Sequence, residues 1–219
     1  MLISHNHKFI FIHIFKTAGT SVSLRLGSHA RFNDALIYGY RPSRKVLLGA
    51  NILLKRRLIE RMTGFNPHAT ASEVREKMPA IFDSYFKFAF VRNPWDWLVS
   101  LYYFFRQNKR DPRHDKAMAI SFPDFVEWQI EEQIQRQLDF ITDTAGNIIV
   151  DFIGKYETLN QDYEYVIHKL SIDAPSLPRM NVSNARKNRD YRRFYTDAAY
   201  EMVLNYFQDD IKTFNYSFD

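Results

Sequence analysis

The order of strand-like and helix-like segments predicts an α/β fold with a mostly parallel central sheet. Three observations carry that prediction. Residues 9–14 and 85–91 are short runs of β-branched and aromatic residues, the composition of strands buried on both faces. Each run passes at once into a helical pattern, through residues 16–21 in the first case and 92–96 in the second. The stretches between carry apolar stripes at i, i+3, i+4 spacing behind recognisable helix caps.

The first junction organises the chain. After the strand comes Lys16-Thr17-Ala18-Gly19-Thr20-Ser21, and then a helix with Val22 and Leu26 on one face. A tight loop of small and hydroxyl residues opening a helix aims backbone N–H groups and the positive end of the helix dipole at an anion. Lys16 adds a point charge, and Thr17, Thr20 and Ser21 add hydroxyl donors. The loop is read as a phosphate cradle. It is not a Walker A loop, in which the lysine follows the glycines.

The next elements follow in order. Residues 29–66 hold Pro42, a basic run at 55–57 and Gly64, and predict loops around one helix at roughly 51–62. Residues 67–84 predict a short capped helix ended by Pro79, before the second strand at 85–91. Asn93 then caps, Pro94 suits the first helical position, and Asp96 favours the helix N-terminus. Leu98, Leu101, Tyr102 and Phe105 form the buried stripe of that helix.

Residues 109–116 read as a charged loop. Ser121 and Asp124 form a capping box for a helix whose apolar face runs Phe122, Val126, Ile130, Ile134, Leu138, Ile141. A turn at 143–147 leads to a strand pair or third sheet strand within 148–156. Thr158 and Gln161 predict another capping box, with Tyr163, Val166, Ile167 and Leu170 behind it. After Pro175 and Pro178 comes a basic loop, 179–193, and Thr196 opens a last helix carrying Met202, Val203, Tyr206 and Phe207 on one face.

Composition limits the function classes. With 219 residues and no internal repeat, one domain spanning 1–219 is expected. Zero cysteines remove disulfides, thiolate nucleophiles and cysteine–metal sites. No His, Asp or Glu cluster has ligand spacing, so no metal is expected. No apolar window is long enough to span a membrane, and the opening MLISHNHKF does not look like a secretory leader, so a cytoplasmic location is the default expectation. The net charge of +5 points to an anionic ligand, and the cations cluster at 55–61 and 179–193.

The second junction adds a planar guanidinium, Arg92, at the carboxyl end of a strand, where ligands bind in open α/β sheets. Ser100 lies two helical turns on, within reach of the same anion. A guanidinium and a hydroxyl suit a phosphate monoester.

Together the two junctions resemble the PAPS-dependent sulfotransferases (PAPS, 3′-phosphoadenosine 5′-phosphosulfate), in the branch of the carbohydrate enzymes of heparan and chondroitin type and their bacterial relatives. The residues that carry the resemblance are Ile12-His13-Ile14-Phe15-Lys16-Thr17-Ala18-Gly19-Thr20-Ser21, similar to an IHIPKTGGTS-like segment, and 90–104, similar to an FVRNPWDRLVSLYYF-like one. About 70 residues separate them, and Phe152-Ile153-Gly154-Lys155-Tyr156-Glu157-Thr158-Leu159 resembles the family's GRFE-x-L junction. Phe15 stands where the family has proline, and Trp97 where arginine is common.

The resemblance implies a P-loop-like three-layer fold, with helices flanking the sheet on both sides. It implies that Lys16, Thr17, Ala18, Gly19, Thr20 and Ser21 bind the 5′-phosphosulfate, and that Arg92 and Ser100 bind the 3′-phosphate. Arg186 and Lys187 would sit near that 3′-phosphate on a basic lid, although a solvated connector is the plainer reading of such a charge run. The expected reaction is in-line sulfuryl transfer from PAPS to a hydroxyl, by family resemblance that of a carbohydrate, with adenosine 3′,5′-bisphosphate released. Lys16 would stabilise the leaving oxygen. His68 looks like the histidine that serves as base in the related carbohydrate enzymes, with Glu73 the substitute if it does not. His13, mid-strand, reads as a core residue.

Two other functions compete. A nucleotide phosphotransferase would need a Walker B acid and a Gly-rich loop, and neither pattern is present. A non-catalytic module binding nucleic acid or another polyanion would show steep salt dependence and no nucleotide requirement. Oligomeric state is not legible in the sequence.

Overall fold

The computed structural model describes residues 1–27, 64–177 and 190–219. The helix expected at 51–62, the basic group at 55–61, and Arg179, Arg186, Lys187 and Arg189 lie outside the described residues. The chain forms two compact units, Met1–Val91 with Asp139–Met180, and Arg92–Leu138 with Asn181–Asp219.

The first unit is built on a four-stranded mixed sheet in the order β1-β2-β3-β4. Its strands are β1 (Leu2–Ser4), β2 (Phe9–Ile12), β3 (Phe86–Val91) and β4 (Phe152–Lys155). β2, β3 and β4 are parallel, and β1 runs antiparallel along the edge. Parallel neighbours need long crossovers. The one from β2 to β3 contains α1 (Gly19–Gly27), α2 (Ala71–Lys77) and α3 (Pro79–Ser84). α7 (Leu159–Lys169) follows β4.

The strand alternation puts Phe9, Phe11, Phe88 and Phe90 on one face, where they bury against Val22 and Leu26 of α1 and Tyr163 and Val166 of α7. Each such ring contributes about 1.5–3 kcal/mol by leaving water. Phe11 stacks on Phe88 with centroids 5.1 Å apart. Gly154 is paired with Phe90 across the ladder, and a Cβ there would stand 2.5 Å from the Phe90 ring, so glycine leaves the ring its place.

The N-terminal end and the helix boundaries add to these expectations and in one place correct them. The N-terminal segment is a buried sheet strand, with His5 set on Tyr85 (Nδ1 to Oη 2.8 Å) beyond its end. Pro79 ends α2 and also starts α3 as its first residue. The Thr70–Glu73 capping box of α2 is fully formed. Thr158 makes no side-chain cap, because its hydroxyl donates instead to Asp162, which also accepts from the Lys155 N–H.

The second unit holds α4 (Pro94–Gln107), α5 (His114–Ala119), α6 (Phe122–Glu131), α8 (Asp197–Tyr206) and α9 (Gln208–Thr213). α4 begins as expected, with Asn93 Oδ1 accepting from the Trp95 N–H at 3.1 Å. Trp95 stacks on Tyr200, and Phe218 lies edge-on to both. α6 has its Ser121–Asp124 capping box but ends at Glu131, short of Leu138 and Ile141. The chain turns out of it through Gln133 at φ 52°. The charged loop expected at 109–116 is helical from His114, where α5 begins, and the basic loop expected at 179–193 ends in a short 3₁₀ turn, Tyr191–Phe194.

Candidate functional site

The first junction has the geometry of a loop held open in front of a helix. Lys16 and Ala18 both adopt left-handed backbone, at φ 65° and 67°. Each costs on the order of 1–2 kcal/mol for a residue with a Cβ. The Thr17 hydroxyl is buried and donates to the Ile14 carbonyl at 2.9 Å, bracing the turn from inside. The N–H groups of Ser21 and Val22 both reach the Ala18 carbonyl, at 2.9 and 3.2 Å. As the first residues of α1, Gly19 and Thr20 have no intrahelical acceptor for their N–H groups. Ser21 is buried, Thr20 exposed, and Lys16 and Ala18 half-buried.

Behind the loop stands His13, only 4% exposed. An added Cβ on Gly19 would fall 1.7 Å from His13 Cδ2 and 2.0 Å from Nε2. The glycine of this loop is therefore required for space, whereas the left-handed positions belong to Lys16 and Ala18. Burial above all, and then nearby positive charge including His68, holds the His13 pKa well below the ordinary histidine value.

His68 comes to the same place from the segment before α2. Its Nδ1 donates to the His13 carbonyl at 2.8 Å, and the two rings lie 4.7 Å apart. Because a carbonyl only accepts, Nδ1 carries the proton and Nε2 is the basic nitrogen of the neutral ring. The His68 N–H donates to Asn66 Oδ1 at 2.9 Å, fixing the backbone beneath it. Phe15 meets His68 edge-on at 5.9 Å and Phe140 at 5.8 Å. The cradle loop and His68 are thus brought together, joined by His13 and Phe15.

In the second unit, Arg92 is buried and its guanidinium is paired with Asp96. Nε lies 2.7 Å and Nη2 2.5 Å from Asp96 Oδ2. Ser100, half-buried on α4, lies one turn beyond Asp96 on the same helix face. Two further residues hold the arginine. Gln137 Oε1 accepts from the Arg92 N–H at 2.8 Å, and its Nε2 donates to the Arg92 carbonyl at 2.7 Å. Asp210 in turn accepts from the N–H groups of Gln137 and Leu138, at 3.0 and 2.8 Å. Sequence reasoning missed both, since nothing local marks a glutamine 45 residues from its partner.

Two further described histidines are engaged away from the loop: His114 Nδ1 bonds the Phe105 carbonyl, and His168 sits in the last turn of α7. Among the described residues, no group of three His, Asp or Glu is placed to hold a metal ion, and no helix is long and apolar enough to cross a membrane.

The Sulfotransferase family matches this sequence over residues 1–217. The carbohydrate sulfotransferases 11 of rat and mouse are each 21% identical over 99% of this chain and 67% of their own length. An uncharacterised protein of Archaeoglobus fulgidus is 36% identical over 47% of this chain and 82% of its own. No solved structure is a significant match.

Proposed function

The chain belongs to the Sulfotransferase family, and from that premise we propose that it is a single-domain enzyme moving the sulfuryl group of PAPS to a hydroxyl, most simply of a carbohydrate. The observation that carries this reading is that the cradle loop and His68 both pack against His13, with His68 in the tautomer that leaves Nε2 basic.

The loop supplies the anion site. Gly19 and Thr20 offer N–H groups at the start of α1, Ala18 shapes the turn, and Ser21 and Thr20 add hydroxyls for the 5′-phosphosulfate. Thr17 contributes through the brace it makes to Ile14. Arg92 and Ser100 take the 3′-phosphate, with Arg186 and Lys187 as further cations for it. In the transfer, the acceptor oxygen attacks sulfur as its proton passes to His68 Nε2. The bond from sulfur to the bridging oxygen breaks in line, and that oxygen departs on the 5′-phosphate of adenosine 3′,5′-bisphosphate. Lys16 stabilises the charge that grows there. The match to carbohydrate sulfotransferases supports a sugar acceptor, and the partly exposed Phe15 ring beside His68 suits a sugar's apolar face.

The test is transfer of label from radiolabelled PAPS to a panel of glycans, lipids and small alcohols. The wild type should label a glycan, and Lys16→Ala should lose at least about 10²-fold in rate. Absence of transfer to any acceptor, or near-normal turnover of Lys16→Ala, overturns the proposal.

A further inference from the structure

One side-chain amide occupies both hydrogen-bonding positions of the Arg92 backbone. Gln137 Oε1 takes the N–H at 2.8 Å and Nε2 supplies the carbonyl at 2.7 Å, while Gln137 itself is completely buried. A carboxamide has the donor and acceptor side by side that this contact needs. Gln137 is held in turn by Asp210, also completely buried, whose two oxygens accept the N–H groups of Gln137 and Leu138 at 3.0 and 2.8 Å. Asp96 then fixes the guanidinium through Nε and Nη2. The arginine is gripped at its backbone by Gln137 and at its side chain by Asp96, and Asp210 holds Gln137 from a third stretch of sequence.

A buried carboxylate and a buried carboxamide are expensive to desolvate, and an apolar packing would serve stability as well. What such a network supplies is position. A displacement of about 1 Å at a binding group is enough to cost on the order of 10²-fold.

We propose that Gln137 and Asp210 are positioning residues that set the selectivity of the site for a nucleotide bearing a 3′-phosphate, acting through Arg92. The proposal rests on the reading that Arg92 holds that phosphate. It predicts an effect on one phosphate of the ligand and none on the other, which a merely structural role does not produce.

The experiment is calorimetric titration of the full chain with adenosine 3′,5′-bisphosphate and with adenosine 5′-monophosphate. The wild type should prefer the bisphosphate by at least about tenfold, the worth of one charge-assisted hydrogen bond. Gln137→Met should reduce that preference about tenfold or more and leave monophosphate affinity within about twofold. Asp210→Asn, a milder and nearly isosteric change, should move the ratio in the same direction and carries the test if Gln137→Met fails to fold. Asp111→Asn is the control, because it disturbs a buried carboxylate paired with Arg113 elsewhere in the same unit. It should lower the melting temperature and keep the ratio. A wild-type ratio near one sinks the assignment of Arg92 itself. A wild-type preference that survives in Gln137→Met or, if that variant does not fold, in Asp210→Asn, or that falls equally in Asp111→Asn, sinks the positioning role alone.

Discussion

Gly19→Ala tests the joint between the loop and His13. The new methyl would lie 1.7 Å from His13 Cδ2, 2.0 Å from Nε2 and 2.8 Å from Cγ, where ordinary contact begins at 3.4 Å. Relief requires the imidazole to move by more than an ångström. His13 has nowhere to go, with Phe11 stacked at 5.8 Å on one side and His68 at 4.7 Å on another. Overpacking of this kind costs about 1–3 kcal/mol and occasionally more, and the rigid surroundings place this case at about 3. For a chain of this size that is a fall of roughly 6–12 °C in melting temperature. Thermal unfolding followed by circular dichroism reads it directly. The mechanism is isolated by a second variant: with His13→Ala the methyl has space, so the double variant should be more stable than the sum of the two single losses by about 2 kcal/mol. A Gly19→Ala protein melting within 2 °C of wild type, or a strictly additive double variant, would refute the packing argument.

Three further outcomes follow from the same geometry. His68→Ala should lower the transfer rate by about 10²–10⁴ and flatten the acid limb of its pH–rate profile; a variant with the wild-type profile removes His68 as the base. Because burial keeps the folded-state pKa of His13 well below 6.5, the unfolded chain takes up this proton first as pH falls. Stability from this residue is therefore complete above pH 6.5 and declines below it by up to about 1.4 kcal/mol per pH unit, and His13→Phe should remove that slope in urea titrations between pH 7 and 5. Tyr163 is buried in the sheet's core, which raises its pKa to about 12, and its hydroxyl has no hydrogen-bond partner among the described residues. Tyr163→Phe should hold or raise stability, by up to about 1 kcal/mol, and a clear loss in chemical denaturation would reveal a bond the hydroxyl makes.

Much of the architecture was legible because its signals are local. The runs that became β2 and β3 are continuous apolar stretches, and Asn93-Pro94 marks the start of α4 with side chains that act within two residues. β1 escaped notice because three residues are too few for a period, and its burial comes from pairing with β2. The end of α6 was misread for the opposite reason. Ile134 and Leu138 continue the helical spacing, but the backbone leaves the helix at a left-handed Gln133, which the apolar pattern does not reveal. At the site, the loop's residue types were readable, while the contact of Gly19 with His13 was not, because side-chain volume meets there across the start of a helix. Asp210 and Gln137 were beyond reach in the sequence, being 73 residues apart and meaningful only once folded.

The account turns on a single nucleotide meeting both junctions. A crystal structure of the protein with adenosine 3′,5′-bisphosphate is the direct measurement. One molecule with its 5′-phosphate on residues 16–21 and its 3′-phosphate on Arg92 and Ser100 is the predicted result. A nucleotide that engages the loop while its 3′-phosphate lies away from Arg92, or that binds neither, contradicts it.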